Sequence, residues 1–343
     1  MDINIRRLTL DTNPEDCNLH CIMCEEHSPL SNFKKELLET TGSSRRVMSK
    51  STIEKVINEA SDLGVKEIIP TTMGDPLVTE NFEHIVKIAS CKNIKLNLTH
   101  NGTFPRKSIE DWARIIVPVT TDIKISWNGA SHETAEHIMK GLNFQKALNN
   151  LKTFIAFRDH WHEQHGHYCR ITLQLTFMRS NMNEIRQIIE LASELGVNRI
   201  KGHHLWVHFP ELEPLSFLHN EETMKEWNRI VELAINTVED INRKNNTSVK
   251  LENFIPVALN QNAEITEHYD CPFLGKELWI SATGKISPCC APDNERQKLG
   301  YFGNIKTASI NEVINSKKYQ ELVENYKNYK TCRKCTLRRP QVN

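Results

Sequence analysis

The stretch Cys17-Asn18-Leu19-His20-Cys21-Ile22-Met23-Cys24 constrains this 343-residue chain more than any other. Three thiols separated by three and two residues converge when a loop curls back on itself, an arrangement that suits one face of an iron–sulfur cube. Such a cube keeps one iron without a protein ligand, and an open iron can bind a small chelating molecule. Zinc is the other reading, with His20 or His27 as fourth ligand, although structural zinc usually shows paired Cys-x-x-Cys or His spacing.

The length suffices for one barrel-sized domain and a smaller one. Lys plus Arg and Asp plus Glu number 43 each, so the chain has no net charge and no basic surface is expected for nucleic acid or an anionic membrane. Ten cysteines without an N-terminal apolar signal stretch, and with no run near the ~18 apolar residues of a membrane span, point to a cytoplasmic protein whose thiols are reduced and metal-bound.

Hydrophobic periodicity supplies the fold class. Ile3, Ile5, Leu8 and Leu10 read as a first strand that delivers the chain to the Cys17 loop, with no room upstream for a separate recognition domain. Residues 25–50 read as a polar loop, mobile until something binds, either a lid or a solvated insertion. Ser51 and Glu54 form a capping box for a helix with Ile53, Val56, Ile57 and Ala60 on one face. That helix ends at Leu63-Gly64-Val65, and Lys66–Thr72 is a strand. The same order recurs with Ile185, Ile188, Ile189 and Ala192, then Leu195-Gly196-Val197, then a strand over Arg199–Leu205. Strands are also expected at 94–99, 122–126 and 171–177.

Six strands with intervening helices imply an α/β fold, a partial (βα)6 TIM-like barrel over 1–255 that binds ligands at the carboxyl ends of its strands. A helix at 221–238 and a strand at 249–254 close that part. Residues 256–343 then form a small α+β domain. In it Cys271, Cys289, Cys332 and Cys335 supply four thiols, with one helix expected over Ile310–Tyr326, and structural zinc suits such a set as well as iron and sulfide do. Cys290 is an extra thiol beside Cys289. Cys91 and Cys169 read as ordinary buried thiols, and His160–His167 as a solvated loop at the amino-terminal face of the barrel.

The Cys17, Cys21 and Cys24 spacing resembles that of the radical S-adenosylmethionine (SAM) superfamily. Gly284-Lys285-Ile286-Ser287-Pro288-Cys289 is similar to the G-x4-C element of that family's twitch/SPASM extension. The resemblance implies a SAM-binding [4Fe-4S] cluster on Cys17, Cys21 and Cys24, and an auxiliary [4Fe-4S] cluster on Cys271, Cys289, Cys332 and Cys335. Too few cysteines remain for a second auxiliary cluster. Met23 takes the apolar position near the adenine. Gly74-Asp75 is similar to the GGE-type motif that holds the methionine ammonium, with Met73 in place of its first glycine and Asp in place of Glu. Ser126 and Asn128 match the segment that bonds ribose and carboxylate, and Asn101, Met178 and Arg179 lie at other strand ends. His203 and His204 are candidates for substrate contact or acid/base work, with Cys290 a conceivable hydrogen donor.

The chemistry so implied is reductive cleavage of SAM to a 5′-deoxyadenosyl radical, which takes a hydrogen atom from a small polar metabolite. Oxidation or epimerisation would follow, with the auxiliary cluster as electron acceptor and a flavodoxin- or ferredoxin-type reductant. Modification of a ribosomal peptide is the alternative within the family. A non-catalytic iron–sulfur electron carrier and a zinc-stabilised binding module are the alternatives outside it.

Overall fold

The computed structural model describes residues 3–71, 73–259, 268–335 and 337–340. It begins with β1 (Arg7–Leu10), β2 (His20–Cys21), α1 (Phe33–Thr41), α2 (Lys50–Asp62), β3 (Glu67–Ile69), α3 (Phe82–Cys91) and β4 (Lys95–His100). There follow α4 (Ile109–Ile116), β5 (Thr120–Ser126), α5 (His132–Ile138), β6 (Met139–Lys140), α6 (Phe144–His165), β7 (Arg170–Phe177), α7 (Ile185–Leu195), β8 (Arg199–His204), α8 (Glu221–Asn245) and β9 (Lys250–Glu252). The last part holds β10 (Tyr269–Asp270), β11 (Glu277–Ile280), β12 (Ile286–Ser287), α9 (Asp293–Gln297), α10 (Ile310–Ile314), α11 (Lys317–Asn325), α12 (Lys330–Arg333) and β13 (Arg339–Pro340). The mostly parallel pairing with intervening helices is the α/β class expected. Two compact units result: Met1–Asp16 with Arg45–Asn97 and Ala263–Asn343, and Cys17–Ser44 with Leu98–Asn262.

In the first unit β1 pairs in parallel with β3 on one side and β11 on the other, so that Leu8 lies beside both Ile68 and Leu278. β3 also pairs in parallel with β4, and β12 runs antiparallel to β11. Alternation along β1 divides the two faces. Leu8 and Leu10 are fully buried, as are Ile68, Leu278 and Ile280. Arg7 and Thr9 face the other way. There Arg7 reaches Glu67 at 2.5 Å and Glu277 at 3.6 Å, and the Thr9 hydroxyl donates to Glu277.

Ile53, Val56, Ile57 and Ala60 of α2 are wholly buried, as the periodicity predicts. The cap differs: Ser49, not Ser51, is the N-cap and accepts from the Thr52 amide at 3.1 Å, because it holds the extended φ and ψ a cap needs. Gly64 turns the chain at φ +74. β3 covers the middle of the expected strand, and Thr72 at its predicted end lies outside the described residues.

The second unit carries the parallel strands β5, β7, β8 and β9 in that order. Ile123, Ile125, Ile171, Leu173, Leu175 and Ile200 are buried, and so are Ile185, Ile188, Ile189 and Ala192 of α7. Gly196 caps α7 in the left-handed region, as the Leu-Gly-Val pattern requires.

Several expectations need correction. Residues 25–50 are not one loop, because α1 occupies Phe33–Thr41 and buries Leu37 alone. Nor does the end of that stretch hang loose: Arg45 and Arg46 are tied to Asp16 and Glu15 by ion pairs of 2.6 and 2.5 Å. The histidine run is helical through His165, the last turns of α6, where the Trp161 ring stacks on His165 with centroids 3.8 Å apart. α8 continues to Asn245. The helix expected over Ile310–Tyr326 breaks into α10 and α11, since Ser316 caps α11 by accepting from the Tyr319 amide. Cys169 is buried, but Cys91 is exposed, off the stripe of α3 formed by Phe82, Ile85 and Ala89.

Candidate functional site

In the second unit the cysteine loop is fastened at both ends. β2 pairs antiparallel with β6, setting Cys21 opposite Met139, and the Ile22 amide donates to the Ile138 carbonyl at 2.9 Å. The Cys24 amide donates to the Cys21 carbonyl at 3.1 Å, which closes the turn that gathers the thiols. Asn101, just past β4, donates its amide N–H to the Asn18 carboxamide oxygen at 2.8 Å and to Cys17 Sγ at 3.8 Å, while Asn18 donates to the Thr103 hydroxyl at 3.0 Å. The His27 amide donates to Cys24 Sγ at 3.4 Å. N–H groups aimed at sulfur favour thiolate, the form that binds iron. Burial acts the other way: it raises the Cys21 thiol, helped by Cys24 and Cys17, and pushes Cys24 up to about 11. Metal binding must therefore expel protons here, as thiolate ligation requires.

The strand ends of this unit place the remaining candidates. Met23 is half-buried within the loop. Ser126 ends β5 beside Gln174 of β7, and among the described residues its hydroxyl has no hydrogen-bond partner. Asn128 is buried, with its oxygen accepting from the Thr176 amide at 2.8 Å. Met178 is fully buried, and Arg179 is paired with Glu226 of α8 at 2.9 Å. The two histidines of β8 part company, because successive strand residues point to opposite faces. His204 lies edge-on to Phe177 and to Trp227 of α8, with ring centroids 5.7 and 4.7 Å apart. His203 faces away from α8, its Nδ1 3.3 Å from Gln174 Nε2. That polar face also carries Lys201, paired with Glu252 at 2.6 Å.

In the first unit Gly74 and Asp75 lean on the segment that leads into the cysteine loop. The Asp75 amide donates to the Asp16 carbonyl at 2.8 Å, and its buried carboxylate accepts from the Leu77 amide at 3.0 Å. Sequence reasoning passed over Asp11, the residue after β1. Buried beside Thr71, whose hydroxyl donates to it at 3.0 Å, it has its pKa raised by burial to about 6, against the pull of Thr71, Arg296 and Arg46. The alternation Arg7, Thr9, Asp11 was the signal for a polar sheet face that continues to the carboxyl end of β1.

The C-terminal thiols share one enclosure. Cys271, Cys289, Cys290, Cys332 and Cys335 line a cavity of about 30 Å³, closed otherwise by Phe273, Leu274, Leu299, Leu322, Tyr326 and Arg338 among others. The Leu274 amide donates to Cys271 Sγ at 3.4 Å. Burial pushes Cys289 up to about 11 and Cys332 up to about 12, and raises Cys290 well above the usual range. Among the described residues no group of three or more His, Cys, Asp or Glu side chains meets the geometry of a metal site. The fit therefore rests on the donor set, all sulfur and gathered in an apolar pocket, which suits an iron–sulfur cluster.

Comparison with known proteins agrees with this geometry. The model of the radical SAM superfamily matches residues 14–192, and that of an iron–sulfur cluster-binding domain, SPASM, matches 271–336. No curated protein sequence matches the chain. Among solved structures, Streptococcus suis SuiB bound to S-adenosylmethionine is similar with a TM-score of 0.67 and 14% identity, over 97% of this chain and 72% of that one. AdoMet-bound anSMEcpe is similar with a TM-score of 0.64 and 15% identity, over 97% of this chain and 88% of that one. At such identities the likeness is one of fold, an α/β radical SAM fold with a C-terminal cluster-binding domain. The two family matches imply [4Fe-4S] clusters and SAM as cofactors.

Proposed function

Since the chain belongs to the radical SAM superfamily, we propose that it takes a hydrogen atom from a small polar metabolite and oxidises or epimerises it, drawing electrons from a flavodoxin- or ferredoxin-type donor. Cys17, Cys21 and Cys24 would hold a [4Fe-4S] cluster, which would supply the reducing chemistry for cleavage of SAM. Cys271, Cys289, Cys332 and Cys335 would hold the auxiliary cluster, which would supply an electron acceptor for oxidation of substrate. Asn101 steadies the first loop through Asn18 and Cys17. Ser126, with its unengaged hydroxyl, is the strand-end group best disposed to bond SAM, and Met23, Gly74 and Asp75 complete the contacts carried over from the family's motifs.

The observation that carries the reading is the pairing of two all-sulfur donor sets in one chain, one on a tethered loop and one around an apolar cavity. An electron carrier needs no open iron and no strand-end groups for a second cofactor. The polar sheet face of Lys201, Glu252, Gln174 and His203 favours a hydroxyl- or amine-bearing substrate, with His203 as its proton-handling residue. Peptide modification is the second reading, because SuiB is known bound to its precursor peptide SuiA and anSMEcpe bound to Cp18Cys peptide.

Anaerobic incubation of the iron-loaded chain with SAM and dithionite tests the class, with 5′-deoxyadenosine read by mass spectrometry. Formation that disappears in the Cys17, Cys21 and Cys24 to Ala variant supports it. No deoxyadenosine from protein carrying about eight irons, the content of two [4Fe-4S] clusters, would put the electron-carrier reading first.

A further inference from the structure

Five thiols line the C-terminal cavity, one more than a cluster with four cysteine ligands takes. Consecutive residues of an extended strand point to opposite sides, so Cys289 and Cys290 would not share a wall if β12 ran on through them. They share one because β12 ends at Ser287 and the chain bends at Pro288 and Cys289. The bend brings both side chains to one enclosure, with Phe273, Leu274, Leu299 and Leu322 among its apolar walls.

Backbone N–H groups sort the five sulfurs. The Leu274 amide donates to Cys271 Sγ at 3.4 Å, the Ala291 amide acts on Cys289, and the Leu337 and Arg338 amides act on Cys335. Such donors favour thiolate, the form that binds iron. Among the described residues neither Cys290 nor Cys332 has an amide of this kind, and the same three thiols, Cys271, Cys289 and Cys335, act on both. Three sulfurs are thus prepared as ligands, and two stand beside that trio as rivals for a fourth place.

The rivals differ in setting. Glu277 opposes a negative sulfur at Cys290, whereas Arg338 favours one at Cys332, so Cys332 is the preferred of the two. Its element is the weaker one, however. α12 has four residues and no side-chain cap, and a single helical turn is marginal by itself.

The geometry points to Cys290 as a reserve ligand of the auxiliary cluster, which takes the iron that Cys332 gives up. This rests on the reading of Cys271, Cys289, Cys332 and Cys335 as the ligands. In the exchange an Fe–Sγ bond to Cys332 breaks and one to Cys290 forms. The proton leaves Cys290 for Cys332, and no electron moves.

Alanine variants test this in the whole chain with Cys17, Cys21 and Cys24 also changed to Ala, so that only the auxiliary cluster is read. Iron and sulfide are counted after anaerobic reconstitution, and EPR of the reduced protein identifies the cluster type. C332A and C290A should each keep about four irons, the content of one [4Fe-4S] cluster. C335A and the double variant C290A/C332A should fall well below that. C332S, with and without C290A, keeps the shape of the side chain, so that a folding defect is not mistaken for a lost ligand. Loss of iron from both C332A and C332S overturns the proposal. So does a full cluster in C290A/C332A, where Cys290 cannot be what holds it, or in C335A, where nothing then singles out the place of Cys332. A parent chain without any cluster overturns the ligand reading, and the proposal with it.

Discussion

Gly74 sits so close to Asn13 that a Cβ on it would lie 2.1 Å from the Asn13 carbonyl oxygen, and 2.6 Å from that of Asp16. Both obstacles are backbone, which cannot rotate aside. Changing Gly74 to Ala should cost about 3 kcal/mol or more, at or above the upper end of ordinary overpacking. Thermal unfolding of the metal-free chain reads this directly, and a Tm within 2 °C of the parent would refute it.

Arg45 and Arg46 form neighbouring ion pairs of very different worth. The Glu15 side chain is 1% exposed and takes the Arg46 amide at 2.6 Å and Nε at 2.7 Å. Removing the Arg46 side chain leaves the buried carboxylate the backbone amide but no countercharge, a loss of about 3 kcal/mol. Arg45 is 57% exposed, so its pair with Asp16 should contribute under about 1 kcal/mol. Urea unfolding of R46A and R45A should show that ranking, and equal midpoints would contradict it.

Asn101 should govern retention of the first cluster more than stability. N101A removes the donor to Asn18 and to Cys17 Sγ, each bond worth about 1–2 kcal/mol. In a chain whose auxiliary thiols are intact, iron per chain after desalting should fall selectively from the Cys17 loop. EPR with and without SAM distinguishes that loss from a general one.

Asp11 makes stability depend on pH. Its folded pKa, about 6, lies above the ordinary 3.8, so the folded chain binds the proton more tightly than the unfolded one. The contribution is fully present below pH 3.8 and is lost as pH rises through 6. D11N should therefore stabilise the chain at pH 7.5 by roughly 2–3 kcal/mol, with the advantage vanishing near pH 4. Calorimetry at the two pH values checks this, and a variant no more stable at pH 7.5 would be the contrary result.

Much of the molecule was legible wherever a period is strong. The apolar stripes of α2 and α7 were read residue by residue, and the cysteine spacings marked both sulfur sets. What escaped has physical causes. α1 buries only Leu37 among Lys34, Lys35, Glu36 and Glu39, so no stripe announces it. Ser316 splits a periodic stretch because a cap competes locally with the helix interior. Alternation along β8 could have separated His203 from His204 in advance. The pairing of β11 with β1 and the approach of Arg338 to the thiols depend on contacts that no local window contains.

The Thr9 hydroxyl meets Glu277 across 268 residues of sequence, within a sheet where β1 lies between β3 and β11. A ribosome releases β1 long before β11, because the two strands stand so far apart in the sequence. Through that interval one edge of β1 has its N–H and C=O groups unpaired, an invitation to another strand. Long-range parallel pairing also closes slowly, since a large loop must be ordered before any contact rewards it. This sheet consequently cannot close until β11 has emerged, and a nascent chain stalled before β11 is the species most in need of a chaperone.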